Sequence, residues 1–207
     1  DACFDDVLHV DEIESTTHRV AVIGSGPAGL ACAFLLAKRG VHVAVFEKES
    51  ELGGMLRIGI PPYRLPRQIL DREIEEIARL GVRFCTNTCV GEDLPFAELQ
   101  AKYDAIFVAT GAHQGRSLGV PGSDHPRVIG GLDFLNRANA GDKVDLGPTV
   151  LVVGGGNTAM DAARMALRQG SKPTVLYRRT RAEMPAIADE VTEAEEEGVD
   201  LTFLVAP

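Results

Sequence analysis

The stretch Arg19-Val20-Ala21-Val22-Ile23-Gly24-Ser25-Gly26-Pro27-Ala28-Gly29-Leu30 decides the fold. Val20 to Ile23 is a short, apolar, β-branched run bounded by Gly24, the pattern of a strand buried on both faces. Leu30, Phe34, Leu35 and Ala37 then fall near helical spacing, which predicts a helix over 28–39. Lys38-Arg39-Gly40 stop it with a basic last turn and a terminal glycine. Val41 to Phe46 gives a second strand. Strand, helix and strand over 20–46 make a βαβ crossover, and a crossover of this kind implies a parallel sheet.

The turn inside that unit, Gly24-Ser25-Gly26-Pro27-Ala28-Gly29, is a full GxGxxG between strand and helix. The first glycine permits the turn, the second lets a pyrophosphate approach the backbone, and the third packs helix on strand. Amides at the helix N-terminus then face the phosphate. Glu47 closes the second strand eighteen residues after Gly29, where a carboxylate can accept hydrogen bonds from ribose hydroxyls. These features in one register point to a dinucleotide site.

Further along, residues 48–66 hold Gly53, Gly54, Gly59 and three prolines, and no regular element is expected there. A helix is predicted over 67–80, strands at 82–85 and 105–109, and a helix around 131–138. At Thr149 the first pattern restarts: apolar Val150 to Val153, then Gly154-Gly155-Gly156-Asn157-Thr158-Ala159, a helix over 157–169 and a strand over 174–177. This GxGxxA turn predicts a second nucleotide site. Its second strand ends in Tyr177-Arg178-Arg179, with Arg181 close behind and no acid where Glu47 stands in the first. An acid repels a 2′-phosphate and guanidinium groups pair with one, so the second site is predicted to prefer NADP over NAD. A helix over 186–197 and a strand over 200–205 complete the pattern.

The composition narrows the alternatives. The 207 residues allow one large or two small domains, and the net charge of −9 disfavours nucleic acid as a partner. No apolar run approaches the roughly 18 residues of a membrane span. Cys3, Cys32, Cys85 and Cys89 fit neither a disulfide framework nor a zinc site, and Cys85 with Cys89 are too few for a metal centre. The acidic N-terminus lacks an apolar signal core, so a cytoplasmic location is expected. No cysteine lies in 53–66 or 112–207, which argues against dithiol chemistry beside a cofactor. The histidines sit in no nucleophile motif, and no catalytic residue is assigned.

The run from Glu51 to Pro66 (Glu51-Leu52-Gly53-Gly54-Met55-Leu56-Arg57-Ile58-Gly59-Ile60-Pro61-Pro62-Tyr63-Arg64-Leu65-Pro66), then Ala109-Thr110-Gly111, Gly154 to Asp161 and Tyr177-Arg178-Arg179, resembles the glutamate synthase small-subunit family. That family includes the flavin half of dihydropyrimidine dehydrogenase, and the match covers about 19 to 207. The resemblance implies FAD in the first unit, NADPH in the second, hydride transfer between them, and iron–sulfur centres carrying electrons onward. It implies that Gly24, Ser25, Gly26, Pro27, Ala28 and Gly29 hold the FAD pyrophosphate and that Glu47, with Lys48 beside it, meets the adenosine ribose. Gly53, Gly54, Met55, Leu56 and Arg64 would line the flavin, and Thr110-Gly111 would mark where the chain leaves the FAD domain. Gly155, Gly156, Asn157 and Thr158 would meet the NADPH phosphates, with Arg178, Arg179 and Arg181 around the 2′-phosphate.

The expected class is α/β, two Rossmann-like parallel-sheet lobes with the FAD lobe incomplete. The expected boundaries are a lead-in over 1–18, the FAD lobe over 19–112, a connector over 113–148 and the NADPH lobe over 149–207. The family's N-terminal cysteine ligands have no counterpart here, and its FAD domain is completed by a Gly-Asp segment after the NADPH domain. Gly141-Asp142 precedes the second unit and does not fill that role. The chain is therefore expected to be a fragment that works with a missing domain or a partner subunit carrying iron–sulfur clusters. The alternative is a non-catalytic piece that binds nucleotide or a partner without turnover.

Overall fold

The computed structural model describes residues 16–115 and 118–207, and the chain divides into two compact units. Most of the expected lead-in, with Cys3, lies outside the described residues. In the first unit β1 (Arg19–Ile23), β2 (His42–Phe46), β3 (Arg83–Cys85) and β4 (Ala105–Val108) form a parallel sheet in the order β3-β2-β1-β4. The register pairs Val20 with Val43 and Ile23 with Phe46 on one side, and Val20 with Ala105 on the other.

Because successive side chains alternate between faces, this register sorts the core. Val20, Val22, Val43 and Val45 pack with Ala33 and Ala37 of α1 (Pro27–Ala37). Ala21, Ala44 and Phe46 pack on the opposite face with Leu99 of α4 (Phe96–Lys102). Both faces are covered, and Ala21 and Val22 are fully buried. Leu70 and Ile74 of α3 (Arg67–Arg79) close against Leu30 of α1.

The second unit repeats the plan with β5 (Thr149–Val153), β6 (Lys172–Tyr177) and β7 (Asp200–Phe203), all parallel, in the order β5-β6-β7. Helix α6 (Asn157–Arg168) is buried continuously from Ala159 to Ala166. Its Ala159, Met160 and Ala163 pack with Val175 of β6 and with Val191 and Ala194 of α7 (Ala188–Glu196). Its Ala162, Met165 and Ala166 pack with Phe134 and Leu135 of α5 (Gly131–Asn139). Four alanines let neighbours approach α6 closely from several directions, which explains a helix buried almost all round.

The structure departs from the sequence expectations in three respects. Residues 48–66 contain a one-turn helix, α2 (Met55–Ile58), and α4 was not anticipated. The expected connector 113–148 supplies α5, whose apolar face completes the core around α6, so it belongs to the second unit. Ile58–Leu65 also belongs to the second unit although the chain on either side, through Arg57 and from Pro66, belongs to the first. Its apolar and charged side chains find their partners there: Pro61 is fully buried, Tyr63 joins the α5–α6 cluster, and Asn139 donates to the carbonyls of Ile58 and Ile60.

Candidate functional site

In the first unit the chain leaves β1 at Gly24 with φ +100°, a conformation open to glycine and costly for other residues. Its amide donates to the Phe46 carbonyl at 2.8 Å. A Cβ on Gly24 would lie 2.4 Å from the Ala109 carbonyl oxygen and 3.4 Å from Cα of Thr110, so the end of β4 brings Thr110-Gly111 against the turn. A Cβ on Gly29 would meet the Gly24 carbonyl oxygen at 2.0 Å, which fixes how closely α1 crosses the turn. At Gly26 nothing among the described residues lies within 4 Å of the Cβ position. Gly26 is the N-cap of α1, and Pro27, which needs no backbone partner, follows it. The first-turn amides and this open approach suit a phosphate.

Ser25 is fully buried and ties three segments together. Its amide and hydroxyl both donate to Glu47 Oε2, at 2.9 and 2.6 Å, and its hydroxyl accepts from the Gly53 amide at 3.0 Å. Glu47 Oε1 accepts from the Glu49 amide at 3.0 Å. Burial opposes ionisation of Glu47, but the Ser25 hydroxyl and the surrounding amides outweigh it and hold its carboxyl below the ordinary value. A Cβ on Gly54 would lie 2.8 Å from Cα of Gly26, so Gly54 sits directly against the turn. Met55 and Leu56 follow in α2, with Leu56 packed against Leu30 and Leu70. Lys48 is exposed and pairs with Glu49 at 3.5 Å.

In the second unit Gly154 has φ +139°, and its amide donates to the Leu176 carbonyl. A Cβ on Gly155 would lie 2.6 Å from the Tyr177 ring, while Gly156, the N-cap of α6, has open space in the same sense as Gly26. The start of α7 is latched to this turn. The Ala186 amide donates to the Gly155 carbonyl at 3.0 Å, and the Ile187 amide donates to Asn157 Oδ1 at 2.9 Å. Thr158 lies beside Gly131 at the start of α5. Arg178 and Arg179 are exposed just past β6, and neither has an ion-pair partner within 4 Å among the described residues. Arg181 differs: it pairs with Glu195 and reaches Thr192 on α7. A capping box between Thr180 and Glu183, legible as Thr-x-x-Glu yet not anticipated, folds the intervening turn.

Arg64 finds its partners within the second unit. Its Nη1 donates to both oxygens of Asp161, at 3.0 and 2.8 Å, and its Nε lies 2.7 Å from Glu190 Oε1. Arg164 is 4% exposed and binds Glu190, Glu193 and Glu197, and Arg168 binds Glu197 as well. Both arginines stack over the Tyr63 ring, at 4.7 and 3.8 Å from its centre. Burial pushes the Asp161 carboxyl upward, and the bonds to Arg64 offset part of that rise. Sequence reasoning passed over Asp161 and Arg164 as ligands of the loop, because it weighed the helix that carries them only as the continuation of a glycine turn.

Residues 18–205 match the family described as pyridine nucleotide-disulphide oxidoreductase. The chain belongs to this family. It is 48% identical over 195 residues to the NADPH-Fe(3+) oxidoreductase subunit beta of Geobacter sulfurreducens, covering 91% of this chain and 29% of that protein. It is 39% identical over 208 residues to the glutamate synthase [NADPH] small chain of Escherichia coli, covering 94% of this chain and 44% of that one. The chain thus spans less than half the length of these relatives. Among solved structures, FprA of Mycobacterium tuberculosis in complex with NADPH superposes with a TM-score of 0.75 at 27% identity, over 88% of this chain and 48% of that one. Together these bear out the resemblance to the glutamate synthase small subunit and related NADPH-dependent flavin oxidoreductases, and the α/β parallel-sheet class. The family description names a pyridine nucleotide and both the Escherichia coli relative and the FprA complex name NADPH; FAD and NADP(H) are the cofactors that the resemblance implies. The residues present fit both: each turn has one open glycine at a helix N-terminus, one unit buries a carboxylate behind its turn, and the other exposes two arginines. No helix among the described residues is long and apolar enough to cross a membrane.

Proposed function

We propose that the chain is the electron-input module of a flavin oxidoreductase, holding FAD at Gly24–Gly29 and NADPH at Gly154–Asn157. When both are bound, the nicotinamide supplies hydride to the flavin, and this is the cofactors' own chemistry. The protein contributes position and charge. The Gly26 and Gly156 turns offer helix amides to two pyrophosphates, Glu47 keeps a charged acceptor for ribose hydroxyls, and Gly53, Gly54, Met55 and Leu56 form the loop next to the first turn. Electrons then pass to a partner subunit or further domain with iron–sulfur centres, as in the glutamate synthase family. The cytoplasmic expectation belongs to the same reading.

The observation that carries this reading is the contrast at the ends of β2 and β6: a buried carboxylate follows the first, and two exposed arginines with no ion-pair partner among the described residues follow the second. One suits ribose hydroxyls and the other a 2′-phosphate. Two measurements test it. FAD added to the chain and freed of excess should leave a bound flavin spectrum that bleaches under anaerobic NADPH. Retention of NADP+ with no flavin would reduce the chain to a nucleotide-binding piece without turnover. Replacing both Arg178 and Arg179 by alanine should weaken NADPH binding far more than NADH binding, since each lost contact to phosphate contributes ~1.5–3 kcal/mol. Equal loss for the two nucleotides would remove the NADP assignment.

A further inference from the structure

Asp161 is 4% exposed and is the one buried carboxylate among the described residues of the second unit. It stands four residues after Asn157, the first residue of α6, and hence about 6 Å along the axis from the end that would receive the dinucleotide pyrophosphate. That is an adverse place for an anion, because the N-terminal end of a helix attracts negative charge and a fixed carboxylate near it opposes this. Burial makes the opposition worse, since little water screens it. The charged neighbours of Asp161 are Arg64, Arg164 and Glu190. Among the described residues only Arg64 bonds its side chain directly, with both carboxylate oxygens engaged, and Arg164 is committed to Glu190, Glu193 and Glu197.

We propose that Arg64 is a positioning residue of the NADP(H) site: by pairing with Asp161 it cancels the buried charge that would oppose the pyrophosphate at the start of α6. It acts on the same site by a second path. Its Nε also holds Glu190 in the first turn of α7, three residues after Ile187, whose amide is bound by Asn157 of the nucleotide turn. Removing Arg64 therefore unmasks an anion and loosens the latch beside the turn. The residue that performs this lies in the glycine- and proline-rich loop after Gly54, far in sequence from the turn it serves. The inference rests on the reading of Gly154–Asn157 as the NADP(H) turn.

The test is the dissociation constant of NADP+ for the full, FAD-loaded chain, read by titration well below the unfolding temperature. Arg64→Gln is expected to raise it roughly 3- to 30-fold, and Arg64→Lys, which keeps the cation, to raise it less. Asp161→Asn is expected to leave it unchanged or lower it, and the double variant to recover most of the loss. This opposition of sign distinguishes charge cancellation from scaffolding, which would make both single variants bind more weakly. Equal weakening by both, with no recovery in the double variant, would overturn the proposal. So would flavin loss with unchanged NADP+ affinity in Arg64→Gln, an outcome that returns Arg64 to the flavin side. If Arg178→Ala with Arg179→Ala weakens binding and Arg64→Gln does not, this proposal fails alone. If neither set changes NADP+ affinity, the NADP(H) reading fails and takes the proposal with it.

Discussion

Ser25 joins the acid at the end of β2 to the double-glycine loop through one hydroxyl, which donates to Glu47 and accepts from Gly53. Ser25→Ala keeps the turn and its amide bond to Glu47, but strips one donor from a buried carboxylate and leaves a buried amide unpaired. The expected cost is about 1–3 kcal/mol, seen as a lower unfolding temperature, and flavin retention should fall with it because Gly53 is no longer tethered. Unchanged stability and flavin content would show that the hydroxyl is dispensable. The position of Glu47 was legible in the sequence, since strand length and spacing place an acid there. The role of the Ser25 side chain was not, because the glycine pattern leaves its second position undefined and only the fold shows what the hydroxyl reaches. The partners of Arg64 were hidden for a related reason: its charge was plain, but they lie 97 and 126 residues further along the chain.

Helix α7 is held to α6 by carboxylate–guanidinium contacts as well as by the buried Val191 and Ala194, with Glu190, Glu193 and Glu197 all on Arg164. Hydrogen bonds from Arg168 and Arg164 hold the Glu197 carboxyl down to about 2. A carboxyl lowered in the folded chain takes up its proton more readily in the unfolded one. The stability it confers is therefore full above the ordinary value near 4.5 and is lost as pH falls toward about 2. Glu197→Gln should unfold at a lower temperature than the parent near neutral pH, and the gap should close across that acid window. A gap independent of pH would mean that shape, not charge, holds Glu197 in place. Periodicity cannot show that Arg164 and Arg168 on another helix face Glu197. Long elements such as α3 and α6 were legible to within a residue or two. The one-turn α2 and seven-residue α4 were not, since so few residues carry no period.

Two parallel βαβ plans follow one another in this chain, and that much was written in the two glycine turns. The assignment of Ile58–Leu65 to the second unit was not, because it depends on partners that no local pattern names. The net charge of −9 acts on both units. A dinucleotide carrying several negative charges approaches a net repulsive field, relieved near the exposed Arg178 and Arg179. Between 0.01 and 0.1 M salt the screening length falls from ~30 to ~10 Å, so the long-range repulsion should fade first. The NADPH association rate of the 207-residue chain, measured by stopped flow, should accordingly rise over this range while the dissociation rate also rises. An association rate that falls steadily with salt would show that the two arginines dominate the field at distance as well.

The glycines of the two turns divide into kinds that a sequence pattern treats alike. Gly29 is required by the fold itself, for a methyl group there would strike backbone at 2.0 Å, whereas Gly26 and Gly156 face open space at ordinary backbone angles. In a saturation library scored once for cellular abundance and once for flavin or nucleotide content, alanine at Gly29 is lost in both scores. Alanine at Gly26 or Gly156 stays abundant and empties its site, which makes these two positions inert carriers for producing a folded, cofactor-free protein.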